Sequence, residues 1–382
     1  MDLAPTPLRP LLDAPSPMRV ALVIERFEPG IGGVENVSWC LAQGLARAGD
    51  EVHVVARRAQ ACPDVVLHPV NAPAFWQPLR VAAFSRAAAR AAPRGAYDVV
   101  YSLARTLHQD VYRAGAGSHL DYLRRRYGTP ARQLRRLSPR HALLAGFERR
   151  VFADTSQVVV CNSEMVRGEI AQRYRVEPAR LVLIRNGVAF ERFAGSSRER
   201  ARVRSELSAG SDTVFVLAGS GFARKGLDTA LRALARARVR AQLWVAGADD
   251  TPAWRRRARV LGVAERVRFV GFRSDLPAVF AAADALLLPT RYDAFANVCL
   301  EAAAAGLPVV TSGANGAAEL FRTAGCVVED PDDVEGFVAA LEALAEPGAR
   351  ERLGKAARSV AAAHSWDSHV AALRGLFARV RD

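Results

Sequence analysis

The feature that most constrains the fold of this chain is a pattern written twice. Each copy has a short unbroken apolar run, a glycine-rich loop, a helix-periodic stretch and a second apolar run. In the first copy Val20 to Ile24 is apolar throughout, and Gly30, Gly32 and Gly33 follow. Val34 to Ala48 then places Val37, Leu41 and Leu45 at helical spacing, Gly49 stops the helix, and Glu51 to Ala56 returns to strand character. The second copy runs from strand Thr213–Ala218 through a glycine loop and a helix from about Lys225 to strand Gln242–Ala246. Each copy is a βαβ unit with a glycine-rich first turn, which implies a parallel sheet with helices on its faces.

Further strands are expected at Val65–Val70, Asp98–Ser102, Gln157–Cys161 and Leu181–Ile184, the last ending in the turn signal Arg185-Asn186-Gly187-Val188. In the second half they fall at Val267–Val270, Ala285–Leu288 and Pro308–Thr311, with a helix from about Phe295. The stretch from Phe190 to Gly210 is polar and poor in aliphatics, and the domain boundary is placed there. A length of 382 residues suits two domains at roughly 100–200 residues each. The expected organisation is a Pro-rich, disordered leader over 1–17, an N-terminal Rossmann-like domain over 18–190, and a C-terminal Rossmann-like domain over 191–365. A final amphipathic helix over 366–382 (Val370, Leu373, Leu376, Phe377) is free to pack back on the first domain. Met18 is an alternative start, since it leads straight into the first strand. The fold class is therefore α/β, two doubly wound domains facing across a cleft, with ligand expected at the carboxyl ends of the strands.

Composition excludes several classes. Cys40, Cys62, Cys161, Cys299 and Cys326 never stand at C-x-x-C spacing, so neither a disulfide framework nor a zinc site is expected. No apolar run reaches the ~18 residues of a membrane span. The net charge of +14 draws the chain toward anionic partners.

Two segments carry the chemistry. Gly219-Ser220-Gly221-Phe222-Ala223-Arg224-Lys225-Gly226 lies between a strand and a helix. Glycines let the backbone approach a ligand, the helix N-terminus favours an anion, and Arg224 and Lys225 add two cations, as a diphosphate requires. Thr290 to Glu301 also follows a strand and opens a helix, with Asp293 and Glu301 separated by seven residues. The N–H groups near Ala296, Asn297 and Val298 face the expected crevice. Glu301 lies two turns inside an otherwise apolar helix, where a buried carboxylate needs a partner such as a pair of ribose hydroxyls.

This second segment resembles the E-x7-E signature of retaining glycosyltransferases of family 4, which have the GT-B fold, and Leu300 to Val309 matches the run that follows it in the family. Gly32-Gly33, Asn186-Gly187-Val188 and Arg224-Lys225-Gly226 extend the resemblance from Met18 onward. The resemblance implies hexosyl transfer from a nucleoside diphosphate sugar, with UDP-glucose the expected donor. Lys225 and Arg224 would contact the diphosphate, Asp293 the transferred sugar and Glu301 the ribose. Gly32, Gly33, Gly219, Ser220, Ala296, Asn297 and Val298 complete the donor set, and neither cofactor nor metal is expected. The first acid is Asp293 where the family has Glu. Gly219-Ser220 replaces the commoner Gly-Arg, which together with Phe147 to Phe152 and Gln109 to Tyr112 is similar to the lipopolysaccharide core glucosyltransferase I group. His119, after Gly115-Ala116-Gly117-Ser118, is a candidate for the family's histidine near the donor sugar.

Between Arg113 and Arg150 ten arginines interleave with Tyr122, Leu123, Tyr127, Leu134 and Leu143. Arg113, Arg124, Arg125, Arg126, Arg135 and Arg136 are read as a surface for a phosphorylated glycolipid acceptor and the anionic inner-membrane face. Nucleic acid is not expected, because no recognition motif accompanies the charge. The expected location is the cytoplasm, peripheral on the inner membrane. Asp330-Pro331-Asp332 spells a metal motif of another glycosyltransferase fold but sits where Asp normally caps a helix. Arg57-Arg58 at the end of the second strand argues against an NAD enzyme. A nucleotide-sugar epimerase of the same fold and a transferase for mannosyl or heptosyl units remain alternatives.

Overall fold

The computed structural model describes residues 16–30, 32–73, 76–126 and 138–382. The first fifteen residues of the expected leader, Arg135 and Arg136, and the side chain of Arg126 lie outside that description. Two parallel sheets organise the molecule. The first contains β1 (Arg19–Phe27), β2 (Glu51–Ala59), β3 (Val65–Pro69), β4 (Val99–Ser102), β5 (Val111–Arg113), β6 (Val158–Cys161) and β7 (Leu181–Leu183). Their spatial order is β3-β2-β1-β4-β5-β6-β7. The second contains β8 (Thr213–Ala218), β9 (Ala241–Ala246), β10 (Val267–Gly271), β11 (Ala285–Leu288), β12 (Val309–Ser312) and β13 (Cys326–Val328), in the order β10-β9-β8-β11-β12-β13. Strand order reverses between β1 and β4 in one sheet and between β8 and β11 in the other, and at such switch points the loops part to leave a crevice.

The expected strands form, mostly to within a residue or two. Strands β5 and β13 are additions, each three residues long and too short to write a period. Helix starts are displaced: the helix expected from Lys225 begins at Leu227, and that expected from Phe295 begins at Asn297. Gly226 causes the first delay. It adopts a left-handed φ of +80°, and a Cβ there would stand 1.9 Å from the Pro289 carbonyl oxygen. The loop after β8 thus touches the loop after β11 at a point that only glycine fits.

Each sheet has its own core. Val214 to Ala218, Leu243 to Val245 and Leu286 to Leu288 are buried in the second, packed against Leu231, Leu234, Phe280 and Phe337. The chain passes between the domains twice at one place, where Val188 pairs with Ser365 and its amide donates to the His364 carbonyl at 2.8 Å. From there the helix Trp366–Arg381 returns to the first core, burying Val370, Leu373, Leu376 and Phe377 among Leu41, Leu45 and Val52. A buried ion pair, Arg374 to Asp50 at 2.9 Å, fixes the helix there. The polar stretch before β8 is not structureless. Ser196 and Glu199 form a reciprocal cap on helix Ser197–Glu206, which buries Val203 in the second core.

Candidate functional site

A cleft of about 800 Å³ opens between the two sheets at both switch points. Gly32, Gly33, Arg113, His119 and Asn186 reach it from the first domain. Gly219, Ser220, Arg224, Lys225, Asp293, Ala296, Asn297, Val298 and Glu301 reach it from the second. Every catalytic and donor-binding candidate read from the sequence therefore lines one cavity.

The centre of the second wall is an ion cluster. Arg224 Nη1 donates to Asp293 Oδ2 at 2.7 Å and Lys225 Nζ donates to the same oxygen at 2.8 Å. Burial pushes the Asp293 carboxyl up, but Lys225 and Arg224 outweigh it and hold the group down at about 2. Asp293 is thus anionic throughout the physiological range and pairs with both cations read as the diphosphate ligand, offsetting one of their two charges. The loop bearing them is held by Asp249, whose carboxylate accepts from the Gly221 and Phe222 amides at 2.8 and 2.6 Å. These two amides are engaged and do not serve as anion donors.

Helix Asn297–Ala304 presents its N-terminus to the cleft. The Ala296 amide is taken by Asn315 Oδ1 at 3.1 Å, so it is not an anion donor as expected. The Asn297 and Val298 amides, in the first turn, have no intrahelical partner and remain for a ligand. Glu301, one turn along, is half-buried. Burial pushes its carboxyl up, opposed by Arg192 and Lys225.

His119 begins the helix His119–Arg126 and is held from both sides. Its amide donates to the buried Glu148 carboxylate at 3.0 Å, and its Nε2 lies 3.0 Å from His141 Nδ1. Burial, followed by the charges of Arg105, His141 and Arg140, lowers its pKa to about 4, so the ring is neutral at pH 7. Glu148 also binds Arg105 at 3.2 Å and the Tyr174 hydroxyl at 2.8 Å. Asn186, Arg105 and His141 also line the cleft, and Asp249 holds the loop of Gly221 and Phe222, although the sequence marks none of the four as a site residue. Asn186 did lie within a recognised turn motif, whereas the other three carry no local signal.

The basic surface needs correction. Arg113 is not on the surface at all, being only 3% exposed at the end of β5 and lining the cleft. Arg125 turns inward, bound to Glu169 at 2.9 Å and lying over the Tyr292 ring in the contact between domains. Arg124 is half-exposed and paired with Asp121 at 3.2 Å. Burying an aromatic face and a carboxylate gives these arginines better partners than solvent. On the next helix, Pro139–Ala153, Arg140, Leu143 and Arg150 share an exposed face, with Leu143 51% exposed. Arg140 donates to Gln77 at 2.8 Å, next to exposed Trp76 and Leu79. None of the described helices is long and apolar enough to cross a membrane. Asp332 of the D-x-D segment pairs with Arg291 at 3.1 Å.

Comparison with known proteins agrees with this architecture. The Glycosyltransferase Family 4 model matches residues 31–192, and the model for glycosyl transferases group 1 matches 212–346. The lipopolysaccharide glucosyltransferase WaaG of Escherichia coli (strain K12) is 31% identical over 210 residues, 52% of this chain and 56% of that one. The chain spans about half the length of the first curated relatives it matches. The crystal structure of WaaG, a glycosyltransferase involved in lipopolysaccharide biosynthesis, superposes with a TM-score of 0.82 at 26% identity, covering 94% of this chain and 99% of the other. Anabaena HepE, solved in complex with UDP-glucose, shares the fold at 19% identity and a TM-score of 0.71, over 95% of this chain and 98% of that one. Two parallel α/β domains that meet at their switch points, as in the WaaG structure, give the chain the GT-B fold, with a Glycosyltransferase Family 4 domain on one side of the cleft and a glycosyl transferases group 1 domain on the other.

Proposed function

We propose that the protein transfers a hexosyl unit, glucose, from UDP-glucose to a phosphorylated glycolipid of the lipopolysaccharide core, with retention of configuration. The observation that carries the reading is the shared cleft wall of Arg224, Lys225, Asp293 and Glu301. In the free protein Asp293 pairs with both cations and offsets one of their two charges. A bound diphosphate replaces it there, and the released carboxylate turns to the hydroxyls of the hexose. When the bond from the anomeric carbon to the phosphate breaks, charge grows on the leaving diphosphate. Arg224, Lys225 and the Asn297 and Val298 amides stabilise that charge from fixed positions. Glu301, penalised by burial, gains hydrogen bonds to ribose. The UDP-glucose complex of HepE supports the donor, and the lipopolysaccharide role of WaaG supports the acceptor.

The acceptor reaches the cleft from the membrane side. The exposed face of Arg140, Leu143 and Arg150 with Trp76 and Leu79 combines cationic and apolar groups as an anionic lipid interface requires. It adjoins Gln77 and Arg140 on the cleft wall.

The test is nucleotide release from UDP-, GDP- and ADP-sugars in EDTA. Release from UDP-glucose is expected to predominate and to survive chelation, because the positive charge is supplied by side chains and a helix end. Turnover only of a GDP- or ADP-sugar would overturn the donor assignment, and loss on chelation restored by Mn²⁺ would overturn the metal-free mechanism.

A further inference from the structure

We infer that Arg113 is an anion contact supplied by the first domain, and that it takes the terminal phosphate of a nucleoside diphosphate in the cleft. The inference rests on the nucleotide-donor reading above.

Arg113 is the last residue of β5, nearly fully buried yet exposed to the cleft. Its Nη2 donates to Asn186 Oδ1 at 2.6 Å. Among the described residues no carboxylate pairs with it. Of the other cleft cations, Arg105 has Glu148, Arg273 has Glu206 and Asp275, Arg224 and Lys225 share Asp293, and Arg140, which donates to Gln77, is exposed to solvent. The titratable neighbours of Arg113 supply no negative charge. Burial pushes the Tyr101 and Tyr112 hydroxyls up, so both stay protonated. His369 is lowered to about 4, chiefly by burial, and is neutral. A buried cation without a counter-ion is costly, and a bound anion is what offsets the cost.

The surroundings are shaped for this guanidinium. A Cβ on Gly115 would lie 2.0 Å from Arg113 Nη1, so any larger residue there displaces it. Asn186, after accepting from Arg113, donates its own Nδ2 to Asn297 Oδ1 at 2.6 Å. Asn297 opens the helix whose first-turn amides face the cleft. One asparagine therefore ties a cation of the first domain to the positive helix end of the second. A diphosphate carries two charged groups. Arg224 and Lys225 serve one, and the helix end together with Arg113 forms a matching site for the other.

The test is calorimetric titration of the full chain with UDP and with UMP. R113Q should lose about 10- to 100-fold in UDP affinity, the effect of one charged hydrogen bond, while binding UMP within about twofold of the parent. The retained UMP affinity also reports that the variant is folded. G115A, which leaves the charge in the chain but moves it, should show the same split, and R113K should recover part of the UDP affinity. Equal UDP affinity in R113Q and the parent overturns the assignment, as does an equal loss for UDP and UMP. If UDP binding is unchanged but the acceptor KM rises, the anion belongs to the acceptor and the assignment to the donor is wrong. If the parent itself binds no UDP, the donor reading fails first.

Discussion

At the scale of single residues, the two acids of the signature stand in opposite electrostatic states. Asp293 is held ionised by two cations, and Glu301 is penalised by burial. Glu301→Gln removes a charge that ribose would bind, so UDP affinity should fall about 10- to 100-fold. Because the folded-state pKa of Glu301 is raised, its ionised form costs stability at pH 7, and the cost disappears below the unfolded pKa of about 4.3, where both states are protonated. Without ligand, Glu301→Gln should therefore melt higher than the parent at pH 7 and match it near pH 4. Asp293→Asn should lower kcat and leave UDP affinity equal or stronger, since it frees Arg224 and Lys225 for the phosphates. Calorimetry, turnover and melting of both variants check this; loss of UDP affinity in Asp293→Asn with retention in Glu301→Gln would reverse the assigned roles. His119 supplies a second pH effect. Its folded pKa of about 4 lies below the unfolded value of about 6.5, so its contribution is complete above pH 6.5 and drains away as pH falls toward 4. His119→Gln should flatten the drop in Tm between pH 7 and 5, and an unchanged slope would assign that drop to other groups.

At the scale of elements, the turn after β8 does more than present two cations. Gly226 brings it against the turn after β11, and Asp249, three residues past β9, ties down its amides. Gly226→Ala combines a left-handed backbone, costing roughly 1–2 kcal/mol, with a contact that backbone must move to relieve. It should lower Tm and weaken UDP binding together. Asp249→Asn should mainly loosen the loop, weakening UDP binding by up to about tenfold with a smaller change in Tm. Differential scanning fluorimetry beside UDP titration separates the two; Gly226→Ala with unchanged Tm would show that the two turns are not coupled.

At the scale of the whole molecule, both crossings between domains run through Val188 and Ser365, and the contact beyond them is largely polar. Tyr292 donates to Glu169 at 2.9 Å, Ser163 to the Ala294 carbonyl at 2.8 Å, and Arg185 pairs with Glu319 at 2.6 Å. The proposed membrane docking is tested at this scale as well. Changing Leu143, Trp76 and Leu79 to Ser and Arg150 to Gln should abolish most sedimentation with anionic vesicles while sparing UDP affinity. Added salt should remove only the arginine share, because exposed charges screen over ~10 Å at 0.1 M. Equal sedimentation of variant and parent would leave the face without a lipid role.

The doubly wound class, the strands and the second domain's cleft wall could be read from sequence because each is written locally. Buried parallel strands are apolar runs, and Asp293 and Glu301 are fixed relative to each other by one helix start. What sequence could not decide was which way a charged side chain faces once distant segments meet. Arg113, Arg124 and Arg125 look alike in a run of arginines, yet one is buried in the cleft, one pairs at the surface and one packs between the domains. Their fates are set by Asn186, Asp121, Glu169 and Tyr292, of which only Asp121 is near in sequence. The pairing of Asp293 with Arg224 and Lys225 and the grip of Asp249 on its loop span 68, 69, 27 and 28 residues. Local periodicity reports which face of an element is apolar, but the partner of a buried charge is chosen by whichever opposite charge the tertiary fold brings within hydrogen-bond reach, and only the folded chain holds that information.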